Sequence, residues 1–329
     1  MRRIAAMTAL LLALWPLAGG AGCAGRDLLD DLPADVRAGI EARAAAVPFP
    51  EGRLWRAERD GAVVHVAGTL HVGDARLTPV MRRLAPLVAG SALVLVEMTL
   101  AEAETMRAAI ADRPGLAYLT GPTGLGDRLG PVDAGRYVAE MGARGVPPQV
   151  ADRMRPWLAL AMLSVPACLL EGVGQAPGLD AQVIGHAVRA GVPVASLEPF
   201  TTTIGLLDGL AEDEALDLLR LALRQAEVSE DLFATRTAAY FAGTPRLAWE
   251  LSRSWPPGAD RDRALHDRLE EVLLRRRNRA WVDRVEAAAD RGPLFVAVGA
   301  AHLSGHDGLL DLLDRAGWRL RRLDIAPRP

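Results

Sequence analysis

The sequence predicts an α/β protein: a mostly parallel central sheet, flanking helices and a helical insertion forming a lid over the sheet's carboxyl edge. Three observations carry this expectation. Short apolar runs rich in valine and bounded by glycine recur along the chain, the pattern of buried strands. Residues 62–98 read strand–helix–strand, an order that favours parallel pairing. Finally, two runs far apart end in the same device, Gly68-Thr69-Leu70-His71 and Gly299-Ala300-Ala301-His302. Ligands bind at the carboxyl edge of open α/β sheets, so two such histidines predict one shared site.

Taken in order, residues 1–22 read as a secretory signal peptide. Arg2 and Arg3 precede an apolar run over 4–17, and small residues follow to Gly22. Ala21-Gly22-Cys23 resembles a bacterial lipobox, which makes Cys23 the expected lipidation site. The expectation is an exported lipoprotein held to a membrane on its periplasmic side; a plainly cleaved, soluble periplasmic protein is the alternative. Residues 23–50 are read as a tether with a short helix, and 51–329 as one domain. Within it, Asp60-Gly61 marks a hairpin between strands at 54–58 and 62–67. A helix at 77–89 leads to a strand at 91–98 that delivers Glu97. Helical insertions follow at about 101–178 and 204–289, the first broken by Gly121-Pro122 and Pro147-Pro148. Between them lie a helix at 179–190 and a strand at 192–198 that ends in Glu198. The second histidine strand, a helix at 308–316 and a closing strand at 318–325 complete the chain.

Composition excludes several functions. Half of the 329 residues are apolar, enough for a large core. A net charge of -3 gives no footprint for nucleic acid. The chain contains no lysine, which removes Walker phosphate loops, pyridoxal phosphate enzymes and Schiff-base chemistry. Two cysteines do not make a disulfide framework, and Cys168 reads as a small core residue.

Four strand ends present His71, Glu97, Glu198 and His302. Two imidazoles and a carboxylate suit zinc, manganese or cobalt, and an ion with an open position can activate water. His71, His302 and Glu97 are the expected metal ligands, and Glu97 or Glu198 the expected base. His65 reads as a core histidine, His306 as surface or ligand, and His186 and His266 as solvent-facing. There is no His-Glu-x-x-His helix and no Gly-x-Ser-x-Gly elbow. Asparagine is a poor residue inside a helix, so Arg277-Asn278 is expected to turn inward onto an acidic group.

Gly68-Thr69-Leu70-His71-Val72-Gly73, Glu97, Arg155-Pro156-Trp157, Gly178-Leu179-Asp180, Leu197-Glu198, Arg277-Asn278 and Val298-Gly299-Ala300-Ala301-His302-Leu303 together resemble, in that order, the TraB/PrgY/GumN family. That family includes the Tiki proteins, membrane-tethered metalloproteases, and its fold is similar to those of erythromycin esterases and haem-binding ChaN proteins. The resemblance implies a metal-dependent hydrolase acting on a peptide bond of a peptide or protein substrate. It places the metal on His71 and His302 and catalytic support on Glu97, Glu198, Arg277 and Asn278. Arg155 and Asp180 fall at matching positions and are assigned to substrate binding. The chain departs from the family pattern at Ser304, at Arg276 and in lacking a glutamine after Leu197-Glu198. Two other functions fit the same cleft: non-catalytic capture of a peptide or hydrophobic ligand, and haem binding.

Overall fold

The computed structural model describes residues 23–170, 177–255 and 260–323. The signal-peptide reading lies outside them. Six strands form one sheet: β1 (Leu54–Arg59), β2 (Ala62–Thr69), β3 (Leu93–Val96), β4 (Val194–Ser196), β5 (Leu294–Gly299) and β6 (Arg319–Arg322). Their spatial order is β4-β3-β5-β2-β1-β6. β4, β3, β5 and β2 run parallel, whereas β1 pairs antiparallel with both β2 and β6. The Asp60-Gly61 hairpin forms as its sequence requires, with both residues at positive φ.

Side chains alternate across the pleat. One face carries Val64, Val66, Leu95, Val296 and Val298, packed with Trp281, Val285 and Leu313. The other carries Ala67, Val94, Val96, Phe295 and Ala297, packed with Leu77, Leu84, Leu179 and Val183. In chain order the helices are α1 (Ala34–Ala45), α2 (Leu77–Ala89), α3 (Leu100–Asp112), α4 (Leu125–Leu129), α5 (Pro131–Ala143), α6 (Pro148–Ala151), α7 (Pro156–Leu163), α8 (Leu179–Arg189), α9 (Thr201–Asp208), α10 (Glu212–Ala226), α11 (Ser229–Ala242), α12 (Pro245–Arg253), α13 (Asp260–Glu270), α14 (Arg276–Ala289) and α15 (Leu309–Arg315). Thus α2 and α8 cover one face of the sheet, α14 and α15 the other. The first insertion, with α9 and α10, closes its own core around Tyr137, Met141, Trp157 and Leu219.

Three expectations need correction. The stretch read as a tether is folded: Leu28, Leu29 and Ile40 are buried against Leu232 and Leu251. Backbone N–H groups of Arg26 and Leu28 donate to Asp231 and Thr235 on α11. Cys23 and Cys168 form a disulfide across 145 residues of sequence. A sulfur bonded to another sulfur has no valence left for a lipid thioether, so the disulfide and lipidation of Cys23 exclude one another. Cys168 is therefore a cross-link rather than a core thiol. His266, expected to face solvent, is buried beside Gln225. Burial pushes its pKa down to about 4, against the pull of Asp262. Among the described residues no helix is long and apolar enough to cross a membrane.

Candidate functional site

The four parallel strands deliver their terminal residues in a row. Thr69 pairs with Gly299, Val96 with Ala297, and Val96 again with Ser196 on its other side. The residues that follow these strands therefore emerge on one edge: Glu198, Glu97, His302 and His71, in the spatial order of β4, β3, β5 and β2. Close approach explains the glycines. A Cβ on Gly68 would lie 2.8 Å from Leu303 and 3.0 Å from the Ala300 backbone, where the two histidine turns cross. A Cβ on Gly299 would meet His71 Nε2 at 2.9 Å. One on Gly178 would strike the His71 carbonyl oxygen at 2.2 Å, where Leu179 N–H donates to Leu70 O.

Glu97 sits between the histidines. Its Oε1 accepts from Gly299 N–H at 2.7 Å and lies 3.8 Å from His71 Nε2. Its Oε2 accepts from Arg277 Nη2 at 2.8 Å and lies 3.8 Å from His302 Nε2. Burial opposes its charge, yet the neighbouring His302, Arg277 and His71 hold its carboxyl well below the usual carboxylate range.

The histidines are oriented from behind. Asn278 Nδ2 donates to the carbonyls of His302 and Asp307, at 3.3 and 2.9 Å, which leaves its Oδ1 as the acceptor facing His302 Nδ1 at 2.7 Å. His302 therefore carries its proton on Nδ1 and turns the Nε2 lone pair toward Glu97 and Arg277. The ring stacks on Trp281, with centroids 4.4 Å apart. Burial, aided by Arg277 and His71 and opposed by Glu97, pushes its pKa down to about 3. His302 is neutral at pH 7. At His71 the residue behind Nδ1 is a carboxylate, Asp180 Oδ1 at 3.3 Å. No donor is aligned on that oxygen, so the contact is ionic rather than a directed hydrogen bond. Burial works against charge on His71, but Asp180 and then Glu97 outweigh it and lift its pKa to about 9. The His71 side chain remains 59% exposed, so solvent screens these interactions.

Arg277 is the hub. Its Nε donates to Glu198 at 2.7 Å, its Nη1 to Leu273 O at 3.1 Å, and the same Nη1 lies 3.3 Å from His302 Nε2. Glu198 also accepts from Thr203 and from Trp281 Nε1. With three donors fixed on it and little exposure, Glu198 holds Arg277 and is poorly placed to take a proton from substrate. Asp180, expected at the substrate, is the partner of His71. Arg155 does not join the cluster: its guanidinium is committed to Gly115 O in the first insertion and to Asp208 at the end of α9. Trp281 and Thr203 went unrecognised in the sequence. Trp281 had a signal, since it lies four residues after Arg277 and so on the same helix face. His306 is exposed and His65 is buried.

Two imidazoles and a carboxylate are donor types that divalent ions take, although His71 must first release its Nε2 proton and Arg277 Nη1 already lies 3.3 Å from His302 Nε2. Both imidazoles have an oxygen behind Nδ1 and turn Nε2 to one carboxylate, the arrangement that orients histidine ligands. Bonds of about 2.0–2.2 Å let one ion bridge donors up to about 4.2 Å apart, so each 3.8 Å gap is within reach. The two gaps end on different oxygens of Glu97. Among the described residues no three His, Cys, Asp or Glu side chains already converge on one point.

A model described as the TraB/PrgY/gumN family matches residues 53–322 of the chain. The chain is also similar to the uncharacterized protein YbaP of Escherichia coli (strain K12) and to the uncharacterized protein YbaP of Shigella flexneri. Each is 24% identical over 255 residues, covering 76% of this chain and 87% of the relative. No solved structure matches.

Proposed function

The chain belongs to the TraB/PrgY/gumN family, and from that premise we propose that it is an exported, metal-dependent hydrolase acting on a peptide bond. One observation carries the reading: His302 is hydrogen-bonded at Nδ1 to Asn278 and His71 has the Asp180 carboxylate beside its Nδ1, while both Nε2 atoms face the two oxygens of Glu97. His71, His302 and Glu97 would hold manganese, cobalt or zinc. Such an ion, when bound, would polarise the scissile carbonyl and lower the pKa of a water. His71, open to solvent on its outer side, marks where substrate enters. Asp180 and Asn278 keep the rings aimed, and Gly299 N–H and Arg277 keep Glu97 ionised. Arg277 also places fixed positive charge beside the reacting centre, where it favours a developing oxyanion. The resemblance to the Tiki proteases makes a peptide the first substrate to test.

Export draws support from the Cys23–Cys168 disulfide, a bond that persists in oxidising compartments. With the Cys23 sulfur taken, a cleaved periplasmic form is the proposal in place of the lipid-anchored one.

The test is metal stoichiometry and affinity for the wild type, His71→Ala, His302→Ala and the double variant, beside a peptide-cleavage screen. Ligands of one ion act as a unit, so each single variant should lose tight binding and the double variant little more. A wild type that takes up no divalent ion ends the hydrolase reading. Peptide binding without cleavage would then favour capture, and a Soret band on adding haem would favour the haem alternative.

A further inference from the structure

Between α13 and α14 the chain makes a π turn, Glu271–Arg275, in which Arg276 N–H bonds to Glu271 O, five residues back. A π turn holds one residue more than an α turn, and each helical residue advances about 100°. Without the extra residue, everything from Arg276 onward would swing by about 100° relative to α13. Arg277 would leave the two carboxylates, and Asn278 would leave His302. Such turns are weak and need a local cause.

Two ion pairs supply it, both at i,i+5 spacing. Arg275 Nη2 reaches Glu270 Oε1 at 3.2 Å, and Arg276 Nε reaches Glu271 Oε1 at 3.2 Å. Residues five apart face one another across a π turn, whereas on an α-helix they sit about 140° apart. The π turn is the register in which both pairs form, whereas an α register would leave only Glu271 beside Arg275, at i,i+4. Glu270 is the buried member, with 3% of its side chain exposed. It also accepts from Arg246 Nη1 at 3.0 Å and from Trp249 Nε1 at 3.1 Å, both on α12. The loop after His302 rests on the same carboxylate: a Cβ on Gly305 would lie 3.0 Å from Arg246 Nη1 and 3.7 Å from Glu270 Oε1.

We infer that Glu270 is a positioning residue for the site, holding the π turn in register so that Arg277 reaches Glu97 and Glu198 while Asn278 reaches His302. The inference builds on the site proposed above, but its readout is taken on the metal-free protein, so either can fail without the other. The experiment is nitrogen-15 NMR of the His302 ring and the Arg277 Nε–H, with amide hydrogen exchange across 271–278. Three variants are compared: Glu270→Ala, Glu270→Gln and Arg275→Met. Arg275→Met removes one pair yet leaves Glu270 matched to Arg246, so it tests the idea even if Glu270→Ala does not fold. The expected result for Glu270→Ala and Arg275→Met is loss of the Nδ1–H pattern of His302, a shifted Arg277 signal and amide exchange about tenfold faster in the π turn. Glu270→Gln, which keeps an acceptor, should fall between these and the wild type. If Arg275→Met folds with His302 and Arg277 signals unchanged, the inference is overturned.

Discussion

His71 and His302 end the same four-residue device on adjacent parallel strands, yet the fold gives them opposite characters. The His71 side chain is 59% exposed and its pKa is lifted to about 9; that of His302 is 5% exposed and pushed down to about 3. Burial, with Arg277 and His71, lowers His302, whereas at His71 burial is outweighed by the Asp180 carboxylate and Glu97. Strand and glycine deliver an imidazole to a place; distant side chains then decide its charge. A neutral, fixed histidine beside a charged, open one makes the pair asymmetric, with a rigid inner wall and an adjustable outer one.

The comparison breaks most severely at Arg277, which both turns meet through Glu97. Arg277→Met would leave Glu97 and Glu198 buried without their cation, and removing one partner of a buried pair costs about 3–5 kcal/mol. Denaturant unfolding should show a loss of that size. A loss under 1 kcal/mol would mean the carboxylates find other partners.

Next come the two turn glycines. Gly68→Ala presses on Leu303 and on the Ala300 backbone, a packed place with little give, so about 1–3 kcal/mol should be lost. Gly299→Ala presses on the free end of the open His71 ring, and its φ of -50° suits alanine. Stability should then change by no more than about 0.5 kcal/mol, while His71 moves away from Glu97 and its NMR signals shift. Equal stability costs would show that the outer histidine is as fixed as the inner one.

The smallest effect is in pH dependence. Native His71 keeps a proton between its ordinary 6.5 and about 9, so the stability it contributes is complete below 6.5 and is lost as pH rises through 9. Below 6.5 the unfolded chain protonates His302 while the native ring resists to about 3, so stability also falls as pH drops through that window. Melting temperature should peak near pH 6.5. Asp180→Asn should bring the His71 pKa down from about 9 and flatten only the alkaline side of the profile. An unchanged alkaline side would assign that loss to another group.

Much of this asymmetry could not be read in the sequence. Strand positions and ends were legible because valine-rich runs and glycine are local signals, and they led to His71, Glu97, Glu198 and His302. Arg277-Asn278 was legible as inward-facing because asparagine is out of place within a helix. Asp180 could be singled out only by resemblance, and its pairing with His71 depends on how α8 docks against the first turn. The π turn was hidden in what read as a plain basic run, since i,i+5 pairs carry no usual helical meaning. The disulfide was missed because spacing within the sequence says nothing about two cysteines 145 residues apart. The 23–50 stretch looked like a tether because it is alanine-rich with scattered charge, yet Leu28, Leu29 and Ile40 suffice to dock it on α11 and α12.

The position of β5 also sets a clock on assembly. It is the fifth strand made and lies at the middle of the sheet, between β3 and β2. While the chain is being synthesised from its amino end, β4-β3 and β2-β1 can form only as separate ribbons, each with an unpaired inner edge. They acquire a common neighbour only when residues 294–299 emerge, long after β4. Pairing of such high sequence separation is slow and leaves strand edges exposed meanwhile. A chain truncated before residue 294 would hold three of the four strand-end side chains and have no sheet on which to align them.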